Sequence, residues 1–259
     1  YYENQAADND DFYVQRMVEN RSGLAPMSPQ QFILADTVSG AASSRREVMF
    51  TIHDPLVMGV DVARFGKDVS IIRFRRGRDG RSIPPICLPK VDTMALAARV
   101  ADEAKNRDVD AIFVDGGGVG GGVVDRLRQI SSVRLFDINF GAASDRQDFE
   151  DGKTRYANKR AEMWGNMRNW LSHGAIDDHP GLIGDLTSPQ YSLVQRDGFD
   201  AIQLESKDAM RRRGLPSPDH ADALALTFAY SVSKTSMHGR IFGRKSEFAV
   251  MYYDPFKDL

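Results

Sequence analysis

The chain has 259 residues, 42% hydrophobic and 27% charged, which is enough apolar sequence to bury a core and rules out disorder as its main state. No apolar run approaches the roughly eighteen residues needed to span a bilayer, and the single cysteine, Cys87, excludes an intrachain disulfide and a multi-cysteine zinc site. The net charge of −2 hides clusters: Arg73, Arg75, Arg76, Arg78 and Arg81 crowd one hairpin, Arg211, Arg212 and Arg213 form a run, Arg240, Arg244 and Lys245 mark the C-terminal region, and Asp8, Asp10 and Asp11 lie near the start. A soluble piece of a longer polypeptide, in a reducing intracellular setting, is the expectation.

Residues 1–54 read as a linker or lead-in with one short helix, SPQQFILAD, opened by Ser28 as N-cap with Pro29 behind it. The strong pattern begins at Leu56. PLVMGVDVA reads as a buried strand, Gly66, Lys67 and Asp68 as a turn, VSIIRFRR as a second strand and Ile83 to Leu88 as a third, which together make an antiparallel meander. The period then changes to that of a helix in TMALAARVADEAKNR, with Thr93 as its cap. Next come an apolar strand, DAIFVD, ending at Asp115, a glycine-rich loop over Gly116 to Gly122, a helix in VVDRLRQI and a strand in SVRLFDI, a β-α-β unit with its loop at the strand's carboxyl end. Ala157 to Leu171 and Pro218 to Val232 are helices, and Gly174 to Met210 is mixed in pattern. The domain is expected over 55–235, with 236–259 as a tail.

The acids carry the chemistry. Asp61 lies in or at the end of an apolar strand, where an ionised carboxylate is costly unless it is paired or binds a cation. Asp115 ends the next strand of the same kind, and strands joined by crossovers gather functional groups at that edge. In SPDHADALALTFAY, Pro218 starts a helix on which Asp219 and Asp222 share a face; either of them alone also suits the positive end of a helix dipole. Carboxylates brought together repel, and divalent metal is the ordinary means of stabilising them; oxygen-only ligation suits Mg²⁺ or Mn²⁺, and two ions serve phosphodiester hydrolysis. Asp219 is expected to be the principal helix ligand and Asp222 a supporting one. His220 points off that face.

A rival reading is that Gly116, Gly118 and Gly121 satisfy G-x-G-x-x-G and bind a dinucleotide, although three antiparallel strands precede the unit and Asp137 comes too early to be the ribose acid. No Walker motif occurs. In NKRAEMW, Met163 and Trp164 read as core, while Lys159 and Arg160 are either phosphate contacts or the exposed basic side of an amphipathic helix. The same choice, DNA backbone or solvated face, applies to Arg73, Arg75, Arg76 and Arg78 and to Arg211, Arg212 and Arg213.

VMGVDVARFGKDVSIIRFRRG, AIFVDGGGVGGGVVDRL, YANKRAEMW and SPDHADALAL, taken in order over residues 55 to 232, resemble the successive blocks of the nuclease domain of tailed-phage large terminase subunits, within the RNase H-like superfamily. The resemblance implies an α/β fold with a mixed sheet, an antiparallel meander followed by parallel strands, flanked by helices. It also implies a metal-dependent endonuclease that cuts double-stranded DNA during genome packaging in the cytoplasm of an infected bacterium. The family's ligand positions fall on Asp61, Asp115 and Asp219, with Asp222 close by. The implied partners are duplex DNA, an upstream ATPase domain of the same polypeptide, the small terminase subunit and the portal, with no membrane. A Holliday-junction-type resolvase on the same fold, a nucleotide-binding module and a non-catalytic docking domain are the alternatives.

Overall fold

The computed structural model describes residues 30–234 except 44, 49, 64–68, 145–153 and 197. The expected Gly66 to Asp68 turn, Ser28 and Pro29, the acidic start and the 236–259 tail fall outside the described residues.

The centre is β2 (Leu56–Asp61), buried along its whole length. A strand covered on both faces must be apolar at every position rather than at alternate ones, and LVMGV meets that demand. On one side β2 pairs antiparallel with β3 (Val69–Arg76), and on the other it runs parallel to β6 (Ala111–Asp115), which pairs parallel with β7 (Arg134–Ile138). β5 (Ile86–Pro89) pairs antiparallel with β3 and completes the meander. A two-residue strand, β4 (Asp79–Gly80), also pairs with β3 and is joined in parallel by β9 (Ala175–Ile176). This mixed sheet agrees with the sequence expectation.

Helices cover both faces. α2 (Thr93–Asn106) and α3 (Gly120–Ile130) pack over Leu56, Met58, Val60, Ile112 and Val114. The α2 cap is Asp92, whose carboxylate accepts from Ala95 N at 2.8 Å, rather than Thr93, which is the first helical residue. α4 (Lys159–Leu171) and α7 (Asp219–Leu226) lie on the opposite face over Val57, Ala111 and Phe113. α7 is shorter than its apolar run, because beyond Leu226 the chain no longer continues the α-helical spacing and Thr227 turns its hydroxyl back to Leu224 O at 2.7 Å.

A second sheet closes the α4 side. It has the order β1 (Gln30–Gln31), β10 (Gln190–Arg196), β11 (Phe199–Leu204), β8 (Thr154–Tyr156), with β10 and β11 antiparallel and β8 parallel to β11. SPQQFILAD is therefore not one helix. Gln30 and Gln31 pair with Tyr191 and Gln190, Phe32 and Ile33 are fully buried, and α1 (Ala35–Ala42) starts only after them. Two large apolar side chains flanked by backbone that a neighbouring strand can pair gain more from insertion into the core than from one exposed helical turn. α5 (Pro180–Thr187) packs on α7 and α1, and α6 (Lys207–Arg212) follows β11. Among the described residues no helix is long and apolar enough to cross a membrane.

One glycine decides how closely α7 approaches the sheet. A Cβ on Gly59 would lie 2.0 Å from the carbonyl oxygen of Ala223, so α7 rests its backbone directly on β2. Replacing Gly59 by alanine is expected to lower stability by about 2–3 kcal/mol, the usual scale of an overpacked core. Urea unfolding checks this, and a loss below about 0.5 kcal/mol would mean that the helix is free to move away.

Candidate active site

The register brings two acids together. Val60 pairs with Val114 in parallel strands, so the next residues, Asp61 and Asp115, end neighbouring strands at the same edge and lie about 5 Å apart along the hydrogen-bonding direction. Strand alternation turns both toward the α4 and α7 face, where Gly59 admits α7 closely, and α7 begins with Asp219. The convergence of Asp61, Asp115 and Asp219 thus follows from one strand register and one missing side chain.

Their environment is electrostatically severe. Asp61 is 3% exposed, and burial pushes its carboxyl well above the ordinary aspartate range; Asp222, Asp219 and Asp115 add repulsion, while Lys207 acts against it. Burial also raises Asp115, opposed by the Gly117 N–H that donates to its Oδ1 at 3.1 Å. Lys207, the first residue of α6, supplies the compensating charge. Its ammonium lies 3.2 Å from Asp61 Oδ2, 3.4 Å from Asp219 Oδ1 and 3.0 Å from Asp222 Oδ2. Burial works against its proton, but Asp61, Asp222 and Asp219 more than offset this and raise its pKa. Sequence reasoning missed this residue, since α6 falls in the stretch of mixed pattern and a lone lysine after Ser206 carries no motif.

Asp222, expected to be a supporting residue, lies one turn deeper in α7 than Asp219. It is fully buried, and its oxygens accept from Arg160 Nε at 2.9 Å, Arg160 Nη2 at 3.3 Å and Trp164 Nε1 at 2.7 Å, besides facing Lys207. Burial alone would raise its pKa, yet Arg160 and Lys207 bring it below the normal value. Asp222 is thus an anchor between α7, α4 and α6, and its oxygens are already engaged by cations and an indole.

The basic residues redistribute more sharply. Arg160 is 7% exposed and committed to Asp222, with Nη1 donating to Glu205 O at 2.8 Å; Lys159 is 2% exposed and donates to Glu162 Oε1 at 2.8 Å. Neither is on the surface to meet a phosphate, because α4 is enclosed between α7 and the second sheet. Arg73 is likewise buried, paired with Asp177 at 2.7 Å and 3.3 Å from His220 Nδ1. Arg75 donates to the Thr227 hydroxyl at 3.0 Å and carbonyl at 2.7 Å and lies over Phe228, while Arg76 lies over Phe50. Register explains the remainder: Asp61 pairs with Ile71 but Leu56 with Arg76, so Arg76, Arg78 and Arg81 sit at the far end of the sheet, about 17 Å of strand from the acids. Arg81 is spent on the carbonyls of Ser43 and Arg46. Of the arginines singled out in the sequence, Arg211, Arg212 and Arg213 are the exposed ones among the described residues, at the end of the helix that starts with Lys207; Arg211 also meets Asp208, and Arg213 meets Glu205.

The glycine loop has its own steric reasons. A Cβ on Gly116 would lie 1.7 Å from Asp137 Oδ1, one on Gly120 would lie 1.8 Å from Asp115 O, and Gly118 has φ +62°. These needs come from the loop's own neighbours and account for Gly116, Gly118 and Gly120 without a dinucleotide. His220 faces away from the acids, toward Arg73, His179 and Cys87, and its pKa is lowered to about 4 by burial and by the nearby cations.

The donor set, carboxylate oxygens alone, fits a hard divalent cation. Among the described residues no three acid, histidine or cysteine side chains close around one point as a ready ligand set. The place between the carboxylates is held by the Lys207 ammonium.

No family model and no curated protein sequence matches the chain. Solved structures do. The nuclease domain of the large terminase subunit gp2 of bacterial virus Sf6 superposes with a TM-score of 0.65 at 18% identity, over 77% of this chain and 98% of that one. A point variant of the same domain with manganese gives 0.64 at 16%, with the same coverage. The HK97 bacteriophage large terminase gives 0.53 at 12%, over 79% of this chain and 44% of that one. The chain therefore has the RNase H-like fold of large terminase nuclease domains.

Replacing Lys207 by methionine removes the only ammonium among the acids in the described residues while keeping the stem. Without metal the variant is expected to melt below the native chain, because Asp61, Asp219 and Asp222 lose a shared counter-charge. Added Mn²⁺ should raise its melting temperature by more than it raises that of the native chain, since ion and ammonium no longer compete. Thermal scans in EDTA and in Mn²⁺ read both effects, and an equal Mn²⁺ shift in the two proteins would contradict the competition.

Proposed function

We propose that this chain is a metal-dependent endonuclease that hydrolyses double-stranded DNA during viral genome packaging, with Asp61, Asp115 and Asp219 as the ligands of divalent ions. The observation that carries the reading is the proximity of these carboxylates at one end of the sheet, with the Lys207 ammonium set against Asp61 and Asp219. The fold supports it, as do the manganese and calcium forms of the Sf6 domain.

Mg²⁺ or Mn²⁺, as a pair of ions, would supply an activated water and stabilisation of the leaving oxygen. The chain's own residues have separable tasks. Asp61 and Asp115 are held rigidly at strand ends, which fixes their spacing. Asp219 approaches from a helix start and closes the third side. Lys207 holds Asp61, Asp219 and Asp222 together, and its partly exposed side chain would withdraw to let ions take its place. Asp222, pinned by Arg160 and Trp164, keeps α7 in position. Gly117 and Gly118, exposed beside Asp115, leave room for a nucleic-acid backbone to approach.

The reading carries with it a place in a larger packaging enzyme, next to an ATPase domain of the same polypeptide and alongside a small subunit and a portal. The coverage of less than half of the HK97 protein suits a domain of this kind.

Two outcomes test the proposal. Plasmid digestion by the purified chain should require Mn²⁺ or Mg²⁺ and stop in EDTA, and Asp61→Asn, Asp115→Asn and Asp219→Asn should each lower the rate by about a thousandfold or more, as loss of metal-ion catalysis does. A fully active Asp61→Asn protein would remove that residue from the site. DNA binding should be weak, without marked sequence preference and steeply salt-dependent, and changing Arg211, Arg212 and Arg213 to glutamine should flatten its salt dependence, whereas changing Arg76, Arg78 and Arg81 should not. The reverse pattern in filter binding or fluorescence anisotropy would place DNA at the far end of the sheet.

A further inference from the structure

We infer that Asp185 is a positioning residue for Asp219, acting as the helix cap that α7 lacks in its own sequence. The inference rests on the metal-binding reading of the site. α7 opens behind Pro218, whose side chain accepts nothing, so the first-turn N–H groups need an acceptor from elsewhere. Asp185 on α5 provides it. Its Oδ2 lies 2.8 Å from His220 N and 3.4 Å from Ala221 N, and the residue is 9% exposed. Water has little access to take over that role.

The two acids of α7 depend on this cap unequally. Asp222 is one turn into the helix and is pinned by Arg160, Trp164 and Lys207, whereas Asp219 is the first helical residue and has only Lys207 as an ion-pair partner among the described residues. When a helix loses its cap, the first turn frays first. Loss of Asp185 should therefore displace Asp219 and leave Asp222 and the core in place, weakening metal binding more than it weakens the fold. The role needs an acceptor oxygen and no charge, so asparagine should fulfil it.

Mn²⁺ titration of the full chain by calorimetry, below the melting transitions, separates the possibilities. Asp185→Ala is expected to weaken Mn²⁺ binding by about tenfold or more, the scale for groups that orient metal ligands, and to raise the Mn²⁺ concentration for half-maximal cleavage, with much of the rate regained at saturating Mn²⁺. Asp185→Asn should stay within about threefold of the native chain. An alanine variant that binds Mn²⁺ like the native protein overturns the inference by reducing Asp185 to a structural residue. An asparagine variant as impaired as alanine overturns it by making the charge itself the requirement. A native chain that binds no Mn²⁺ defeats the metal-site reading instead, and the cap is then judged from amide exchange of the native protein. The His220 and Ala221 amides should be protected by about tenfold or more over an unstructured chain. Unprotected amides would overturn the inference even if Asp185→Ala failed to fold.

Discussion

Burying carboxylates at the end of a hydrophobic strand requires positive charge, and the architecture around the acidic edge is arranged to supply it. Asp61 cannot stay ionised where it lies without a partner, and Asp115, Asp219 and Asp222 all act on it. Lys207 meets the demand from α6, Arg160 meets it for Asp222 from α4, and so both helices are tied to the acidic cluster by ion pairs. Lys207 and a divalent ion would compete for the same oxygens: the ion offers more charge, and lysine carries its ammonium on a flexible stem that can move aside.

The backbone makes this arrangement possible at two points. Gly59 lets α7 lie against β2 without intervening side chains, which brings a helix start within reach of a strand end. Pro218 starts that helix without a side-chain cap, and Asp185 from α5 takes over its first N–H groups. At this edge Asp185 has its carboxyl raised to about 7, chiefly by burial, which is where a group that must remain an acceptor, charged or not, can be tolerated. Precision at the edge is thus built from close backbone contact on one side and a borrowed hydrogen bond on the other.

The continuous apolar run of β2, the alternation into β3 and the change of period at α2 were legible in the sequence because burial on both faces, short turns and amphipathic spacing leave local signatures. Asp61, Asp115 and Asp219 stood out for the same reason, as charges where the pattern demands apolar residues or helix starts. Lys207 did not, since its meaning comes only from three acids distant in sequence. The arginines misled in the opposite direction. Arg73 and Arg75 alternate along a strand whose faces are both covered, which already argues against a solvent-exposed run, but only the β2–β3 register reveals that Arg76 and Arg78 lie at the opposite end from Asp61. Arg160 and Lys159 read as an exposed basic side because a helix enclosed on nearly all sides by other elements can hold charges in ion pairs that the 3.6-residue period does not disclose. Phe32 and Ile33 were read as part of a lead-in because two residues of β-pairing are too short to leave a periodic signal.

The most direct measurement is anomalous diffraction at the manganese edge from crystals of the chain grown with Mn²⁺. The account predicts density bounded by Asp61, Asp115 and Asp219, with the Lys207 ammonium displaced from its position between Asp61, Asp219 and Asp222. Manganese bound elsewhere, or absent with Lys207 still paired with Asp61 and Asp219, would contradict it.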